Sequence, residues 1–588
     1  MDVLFINATP TLELRSEVNG TMLLATKLLQ AGFQADILRF GQIENYGKDY
    51  QAFIREITDK IIASGTKCVS FYTLWPSYHV MLRIASELKE RNRNIVTVFG
   101  GPQASATAEA TMASMPFIDY ICTGEGERTV VPFFTAVLRT DGSGLASVPG
   151  LYYRMNGSIV HNNLTVPLTD LESLPRWDDR LLSAYDPAQE PHIRHNAYFM
   201  PIDVGRGCPY SCTFCCTSYF WKRTYRLKLP QQIVSDIQYY QEKYGITSFW
   251  FSHDAFTSDK KLISAVCDQI LEKQLNIQWR CSARVDCLTE ELILKMKQAG
   301  LTQIEMGIET GSARMQKLIN KRLDLEKARS IIAFLRKNKI HVSLFFIYGF
   351  PEETEADLNE TLEYLFSMVD AGVQKVDLFF CRFNPLTDIT VRNMDQLVFA
   401  PDVKPLHRTM DVYNEELQMI IAHKELFPFL YHLNTPVRNE YQDLFALIYI
   451  YQKFPKTVRY LRGLYAGDNL RFYQDFVRQN AECFAGSYSY IISCIKNKSW
   501  EMLCNVLDVF DKPCTAQLKE LMRFERDVQA VNLSAEDCAV HNVYGFHYLD
   551  YKLNRPIESY CNGTTEILLQ KTDGKISMKV MRISGTEA

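Results

Sequence analysis

Two long blocks of the chain alternate short apolar runs with stretches of helical periodicity, a pattern that builds parallel sheets flanked by helices. In the first block Val3–Ile6, Ala35–Leu38, Cys68–Tyr72, Ile95–Phe99 and Ile118–Cys122 read as strands. A helix over Met22–Leu29 stops near Gly32, and Phe53, Ile54, Ile57, Ile61 and Ile62 recur at helical spacing before Gly65. These five units predict an α/β fold with a doubly wound sheet over residues 1–140. In the second block the strands are Tyr198–Val204, Ser248–Phe251, Gln278–Ser282, Gln303–Gly307, Val342–Ile347 and Lys375–Phe380. Six units without a reversal predict an open, partial (β/α)6 barrel over 197–395. Both architectures bind ligands at the carboxyl ends of their strands.

Residues 141–196 read as a connector. It holds a hairpin, Leu151–Val160, turned at Asn156-Gly157, and a polar stretch through Pro167, Pro175 and Trp177. Residues 396–588 form a C-terminal substrate or capping region. It is mostly helical to about 535 and ends in a hairpin whose strands, Thr565–Thr572 and Lys575–Ile583, flank Asp573-Gly574. At about 150 residues per domain, 588 residues fit three or four such pieces.

The charge balance excludes a strongly basic nucleic-acid binder: 64 Lys and Arg face 68 Asp and Glu, for a net charge of −4. No segment approaches the roughly 18 apolar residues of a membrane span. The start, Met-Asp-Val-Leu-Phe, lacks a basic n-region and a cleavage site, so a cytoplasmic protein without a membrane partner is expected. The 16 cysteines are then thiols or metal ligands rather than a disulfide frame.

Most of these cysteines are scattered, but four cluster directly after the first barrel strand, in Arg206-Gly207-Cys208-Pro209-Tyr210-Ser211-Cys212-Thr213-Phe214-Cys215-Cys216. Thiolates at Cys-x3-Cys-x2-Cys spacing suit an iron–sulfur cluster, and four irons ordinarily need four ligands. Three protein ligands, Cys208, Cys212 and Cys215, leave one iron open for a substrate group. The alternatives are a zinc site or inert buried thiols. Zinc usually takes paired cysteines, and no second pair is present. Cys216 adjoins Cys215, and neighbouring side chains rarely reach one metal, so it reads as a packed thiol.

The spacing, Phe214 before the third cysteine and the barrel context resemble the radical S-adenosylmethionine (SAM) enzymes, over roughly residues 197–392. The resemblance implies a [4Fe–4S] cluster on the three cysteines, with SAM chelated at the open iron and cleaved to a 5′-deoxyadenosyl radical. An electron donor such as flavodoxin or ferredoxin is implied as well. It places SAM contacts at Phe214, at Ser252 and Asp254 after the second strand, and at Ser282 and Arg284 after the third. Glu309 after the fourth would meet the ribose, Lys321 or Arg322 the carboxylate, and Gly349 the adenine side. Each has a plainer reading: Arg284 and Asp286 as a surface pair, Glu309 as a helix cap, Gly349 as a turn former.

The loops of the first block resemble the Rossmann-like cobalamin-binding domain that precedes the barrel in one large radical SAM class. The matching residues are Thr73 and Leu74; Gly100, Gly101, Pro102 and Gln103; and Gly124, Glu125 and Gly126. Glycine lets a backbone approach a bulky nucleotide tail, and the helix after Gly100-Gly101 would offer N–H groups to a phosphate. None of the 11 histidines sits in an Asp-x-His-x-x-Gly motif, and Gln103 stands where the family often has histidine. The alternative is a domain of this fold without a cofactor.

The class so resembled methylates unactivated carbons, here of a peptide or small natural product, through methylcobalamin. A second outcome is oxidation, cyclisation or rearrangement with the same cofactors. A third, of another kind, is a non-catalytic cobalamin or metal sensor. Tyr348 and Cys381, near barrel strand ends, are the candidates for facing substrate. Phe427–His432 is an aromatic stretch that either lines a pocket or packs a helix.

Overall fold

The computed structural model describes residues 1–7, 18–45, 49–163, 168, 170–183, 199–400, 413–486, 488–507, 516–533, 538–544, 563–572 and 575–585. Pro167, Tyr198 and the Asp573-Gly574 turn lie outside them. The chain forms two compact units: 1–306 with 317–340 and 381–434, and 307–316 with 341–380 and 435–588.

In the first unit β1 (Val3–Asn7), β2 (Ala35–Arg39), β3 (Cys68–Tyr72), β4 (Val96–Gly100) and β5 (Tyr120–Cys122) pair in parallel in the order 2-1-3-4-5. This is a doubly wound order with its switch point beside β1 and β3. Strand β1 is buried along its whole length and apolar up to Asn7, as expected of a strand covered on both faces. The predicted hairpin, β6 (Leu151–Met155) and β7 (Ser158–His161), extends this sheet. Strand β6 joins β5 in antiparallel register, bringing the sheet to seven strands.

The core of this sheet is completed from far along the sequence. Ile420, Leu426, Phe427 and Phe429 lie in one buried cluster with Tyr78, Phe99 and Met112. The Phe429 ring lies 5.2 Å from that of Trp75, and Phe427 lies 6.1 Å from Tyr78. The aromatic stretch therefore packs helices. Part of the region assigned by sequence to the C-terminal cap belongs to the first unit instead.

A second sheet has the order β8-β11-β12-β13-β14-β15: Met200–Asp203, Ser248–Ser252, Gln278–Ala283, Leu301–Glu309, His341–Tyr348 and Lys375–Phe380. The pairs β8–β11, β11–β12, β12–β13 and β14–β15 are parallel, as a partial barrel requires. Between β8 and β11 lies a short antiparallel ribbon, β9 (Gly205–Gly207) and β10 (Tyr225–Leu227). Two further residue pairs, β16 (Val398–Phe399) and β17 (Tyr431–His432), join antiparallel.

In the second unit the helix Leu444–Lys453 covers the edge strand β15. The Gln452 amide accepts from the Val376 N–H at 2.8 Å and donates to its carbonyl at 2.8 Å, so the edge is satisfied at that residue. The terminal hairpin, β19 (Gly563–Thr572) and β20 (Lys575–Gly585), carries a third strand, β18 (Cys538–Tyr544).

A buried carboxylate starts one helix of this unit. Glu525 accepts from the N–H groups of Lys456 and Thr457 at 2.9 and 3.1 Å and from the Thr457 hydroxyl at 2.7 Å, at the start of the helix Pro455–Leu464. Burial pushes its pKa up from 4.5 to about 7. A carboxyl whose folded pKa is raised stabilises fully below its unfolded pKa and loses that contribution as pH rises. Stability should therefore fall between pH 4.5 and about 7 by up to about 3 kcal/mol. In Glu525→Gln this segment of the melting-temperature profile should flatten. An unchanged slope would remove Glu525 as its source.

Candidate functional site

The cysteine loop is fixed by two other parts of the first unit, residues 319–320 and Ile389. The Thr213 N–H donates to the Ile319 carbonyl at 3.0 Å, and the Ile389 N–H donates to the Thr213 carbonyl at 3.1 Å. The Asn320 amide donates to the Ser211 carbonyl at 3.0 Å and to its hydroxyl at 2.9 Å. Cys212 is buried, Cys208 and Cys215 are half-buried, and Cys216 is exposed rather than packed.

The Cys208 thiol is pushed up to about 11 by burial and then by the charges of Cys215 and Cys212, so the three sulfurs share one locality. Yet among the described residues no three His, Cys, Asp or Glu side chains converge as for a single ion. Three neighbouring thiols without a second cysteine pair are a donor set for a cluster with one open iron rather than for zinc. The donor set fits a [4Fe–4S] group.

Arg284 lies against this loop. It is buried, so its pair with Asp286 (3.0 and 2.9 Å) is no surface pair. It also donates to the Lys321 carbonyl at 2.9 Å and to the Cys212 Sγ at 3.7 Å, and lies 3.8 Å over the Tyr210 ring. Lys321 is buried, Ser252 and Ser282 are half-buried, and Asp254 is exposed. His253, between Ser252 and Asp254, is neutral. Its Nδ1 accepts from the Ala255 N–H at 2.9 Å, and burial lowers its pKa to about 4. Phe214 is half-buried, and Cys381 is buried.

In the second unit Glu309 ends β13, buried, at φ +70°. A left-handed backbone at a non-glycine residue costs about 1–3 kcal/mol and is kept where the surroundings enforce it. Glu309 is not a helix cap, because the next helix starts at Ala313. Gly349 takes φ +79°, and its N–H donates to the buried Glu353 carboxylate. Tyr348 is buried instead of facing a substrate. Its ring stacks on Phe380 at 4.3 Å and its hydroxyl donates to the Tyr441 carbonyl at 2.7 Å, which makes it core.

The register β1–β3–β4–β5 lines up Asn7, Tyr72, Gly100 and Cys122 along the carboxyl edge of the first sheet. The three predicted loops leave from that edge, but two of the expected roles change. The helix Pro102–Ser114 has no spare N–H groups for a phosphate. Pro102 has none, Gln103 and Ala104 donate to the Thr73 carbonyl and hydroxyl, and Ser105 donates to the Gly101 carbonyl. Gly101, at φ +98°, is needed for this packing, since a Cβ would stand 2.7 Å from the Thr73 oxygen. Gln103 is committed within the protein, its amide donating to the Leu426 carbonyl at 2.9 Å.

Glu125 is likewise committed. It pairs with Arg226 on β10 at 2.7 Å, and neighbouring Glu127 pairs with Arg206 on β9 at 3.1 Å. These ties join the 124–127 loop to the ribbon just before Cys208. Leu74 is half-buried at the next loop, and Gly126 lies against Leu24.

Two features at this edge fit a bound corrinoid. Asn7 is buried with neither carboxamide atom bonded. A Cβ on Gly124 would meet nothing within 4 Å, so that backbone is open. Sequence reading passed over Asn7, although a polar residue closing an otherwise apolar strand was the available signal.

Residues 202–365 match the Radical SAM superfamily, and residues 10–133 match the B12 binding domain. The chain thus combines a radical SAM domain with a B12-binding domain, and these imply a [4Fe–4S] cluster, SAM and cobalamin as its cofactors.

An uncharacterized methyltransferase of Pyrococcus horikoshii is 28% identical over 307 residues, 52% of this chain and 63% of that protein. The anaerobic magnesium-protoporphyrin IX monomethyl ester cyclase of Rubrivivax gelatinosus is 27% identical over 340 residues, 57% and 59% of the two chains. The alignments thus span about six tenths of these curated relatives. Among solved structures, the cobalamin-dependent SAM radical enzyme OxsB with aqua-cobalamin and SAM bound shares the fold. It has a TM-score of 0.57 at 16% identity, over 90% of this chain and 80% of that one. The radical SAM methyltransferase TsrM of Kitasatospora setae, with cobalamin and a [4Fe–4S] cluster bound, gives 0.53 at 15% identity, over 67% and 78%. No helix among the described residues is long and apolar enough to cross a membrane.

Proposed function

We propose that the protein is a cobalamin-dependent radical SAM methyltransferase acting on an unactivated carbon of a peptide or small natural product. The observation that carries this reading is the three-thiol loop in one chain with the B12-binding domain, tied to it through Glu125, Glu127, Arg206 and Arg226. Cys208, Cys212 and Cys215 would hold the cluster, and the edge at Asn7 and Gly124 would face the corrinoid. Once bound, the cofactors supply reductive cleavage of SAM and delivery of a methyl group.

The chain's own residues do the holding. Arg284 and the Asn320–Ser211 bonds fix the cysteine loop, and the paired arginines fix the 124–127 loop beside it. Glu309, Lys321, Ser252, Asp254, Ser282, Phe214 and Gly349 are proposed SAM contacts. A flavodoxin- or ferredoxin-type donor is the proposed reductant, and the cytoplasm the proposed location.

The cyclase relatives favour one second reading, a cyclisation or oxidation with the same cofactors and no methyl transfer. Anaerobically reconstituted protein separates the two. It should take up about four irons and one cobalamin per chain. Turnover should yield S-adenosylhomocysteine and 5′-deoxyadenosine in equal amounts with methylated product. Deoxyadenosine without methyl incorporation would favour the second reading. Zinc in place of iron would sink both.

A further inference from the structure

Arg284 is held in a way that serves the cluster loop. Its guanidinium is buried at the protein side of the cysteines, and an N–H points at the Cys212 sulfur at 3.7 Å. Three contacts fix that direction: the two-bond pair with Asp286, the bond to the Lys321 carbonyl at 2.9 Å, and the Tyr210 face at 3.8 Å. Its own N–H bonds the Thr257 hydroxyl at 3.2 Å, so the backbone is fixed as well. A cation beside a cluster ligand favours the more negatively charged form of that cluster, and hydrogen bonds to ligand sulfurs act in the same direction. Burial strengthens the effect, because little water screens the charge.

We infer that Arg284 sets the reduction potential of the cluster, by donating a charged hydrogen bond to Cys212, and that Asp286 tempers it by offsetting part of that charge. The inference rests on the reading that Cys208, Cys212 and Cys215 carry the cluster. One electron from the reductant adds one negative charge to the cluster. Arg284 stabilises that product and raises the potential, and the adjacent Asp286 carboxylate opposes it. Arg284 is a positioning and tuning residue here, whether or not it also meets SAM.

The test is an EPR-monitored redox titration of reconstituted full-length protein with dithionite as electron source. SAM is left out, so that an effect on SAM binding is not read. Iron per chain is measured for each variant. Arg284→Gln should keep its iron and shift the midpoint to more negative potential. Its reduced-to-oxidised ratio at a fixed potential should fall about tenfold, or ~59 mV for one electron. Asp286→Asn, at a more exposed position, should shift the midpoint the opposite way. Simple loosening of the loop has no reason to give two opposite signs.

If Arg284→Gln loses its iron, Arg284→Lys decides. It keeps the charge but cannot bond Asp286 and the sulfur together, so a smaller negative shift is expected. Intact clusters with an unmoved or raised midpoint in the Arg284 variants would overturn the inference alone, as would a lowered midpoint in Asp286→Asn. Wild-type protein that assembles no four-iron cluster would overturn the reading of the cysteines and this inference together.

Discussion

Cys212→Ala should leave the protein folded and empty of cluster, with reductive SAM cleavage reduced more than 100-fold. Replacing even an outer-shell partner of a metal site typically costs about 10–100-fold, so loss of a ligand must cost more. Four irons with three protein ligands leave one position for SAM. With two protein ligands a second iron is exposed and the cluster is not retained. Cys212 is the buried member of the three, so no outside thiol reaches its place. The control lies next to the third ligand. Cys216 is exposed, and Cys216→Ala should keep full iron and full cleavage. Iron and 5′-deoxyadenosine analyses on both variants make the check. Retained iron in Cys212→Ala, or lost iron in Cys216→Ala, would show that the ligands are misassigned.

Gly207→Ala should be almost as damaging, without touching a ligand. Gly207 sits at φ +83° in the ribbon, opposite Tyr225 and directly before Cys208. An added Cβ would overlap the Thr224 carbonyl oxygen and crowd the Trp221 Cβ at 3.2 Å. Backbone cannot swing aside as a flexible side chain does, so the ribbon must open. The left-handed conformation and the clash together should cost about 4 kcal/mol. The expected result is a melting temperature lower by about 10 °C and incomplete iron uptake. Gly245→Ala is the comparison. It closes a helix at φ +67° with nothing within 4 Å of a Cβ, so it should cost only about 1 kcal/mol. Wild-type melting and full iron in Gly207→Ala would show that the ribbon is softer than its contacts imply.

Why the ribbon escaped sequence reading is instructive. Gly205-Arg206-Gly207 and Tyr225-Arg226-Leu227 are three residues each, too short to show a period, and glycine argues against a strand. The eleven parallel strands of the two large sheets were legible because apolar runs bounded by turn signals are a local property. Lys375–Phe380 matches residue for residue. Strand Cys538–Tyr544 was missed because its mixed Cys-Ala-Val-His-Asn-Val-Tyr pattern reads as no clear alternation.

The site divides in the same way. Cysteine spacing is a local signal and pointed directly to its chemistry. The Arg284–Asp286 pair was visible two residues apart, but its burial and its reach to Cys212, 72 positions away, are tertiary facts. The Gly100-Gly101 turn suggested a phosphate cradle. Only the fold shows that Thr73 already occupies the N–H groups such a cradle would use.

The return of Ile420–Phe429 to the first sheet bears on how the chain is made. The apolar side of that domain around Tyr78, Phe99 and Met112 is covered by residues synthesised more than 300 positions later. At about 5–20 residues per second, the ribosome leaves that apolar side bare for roughly 15–60 s. A chain cut after residue 140 would keep it bare permanently. The earliest-made domain is thus among the last to be finished. A chaperone arriving during that interval would find its binding surface there, rather than on the barrel that follows.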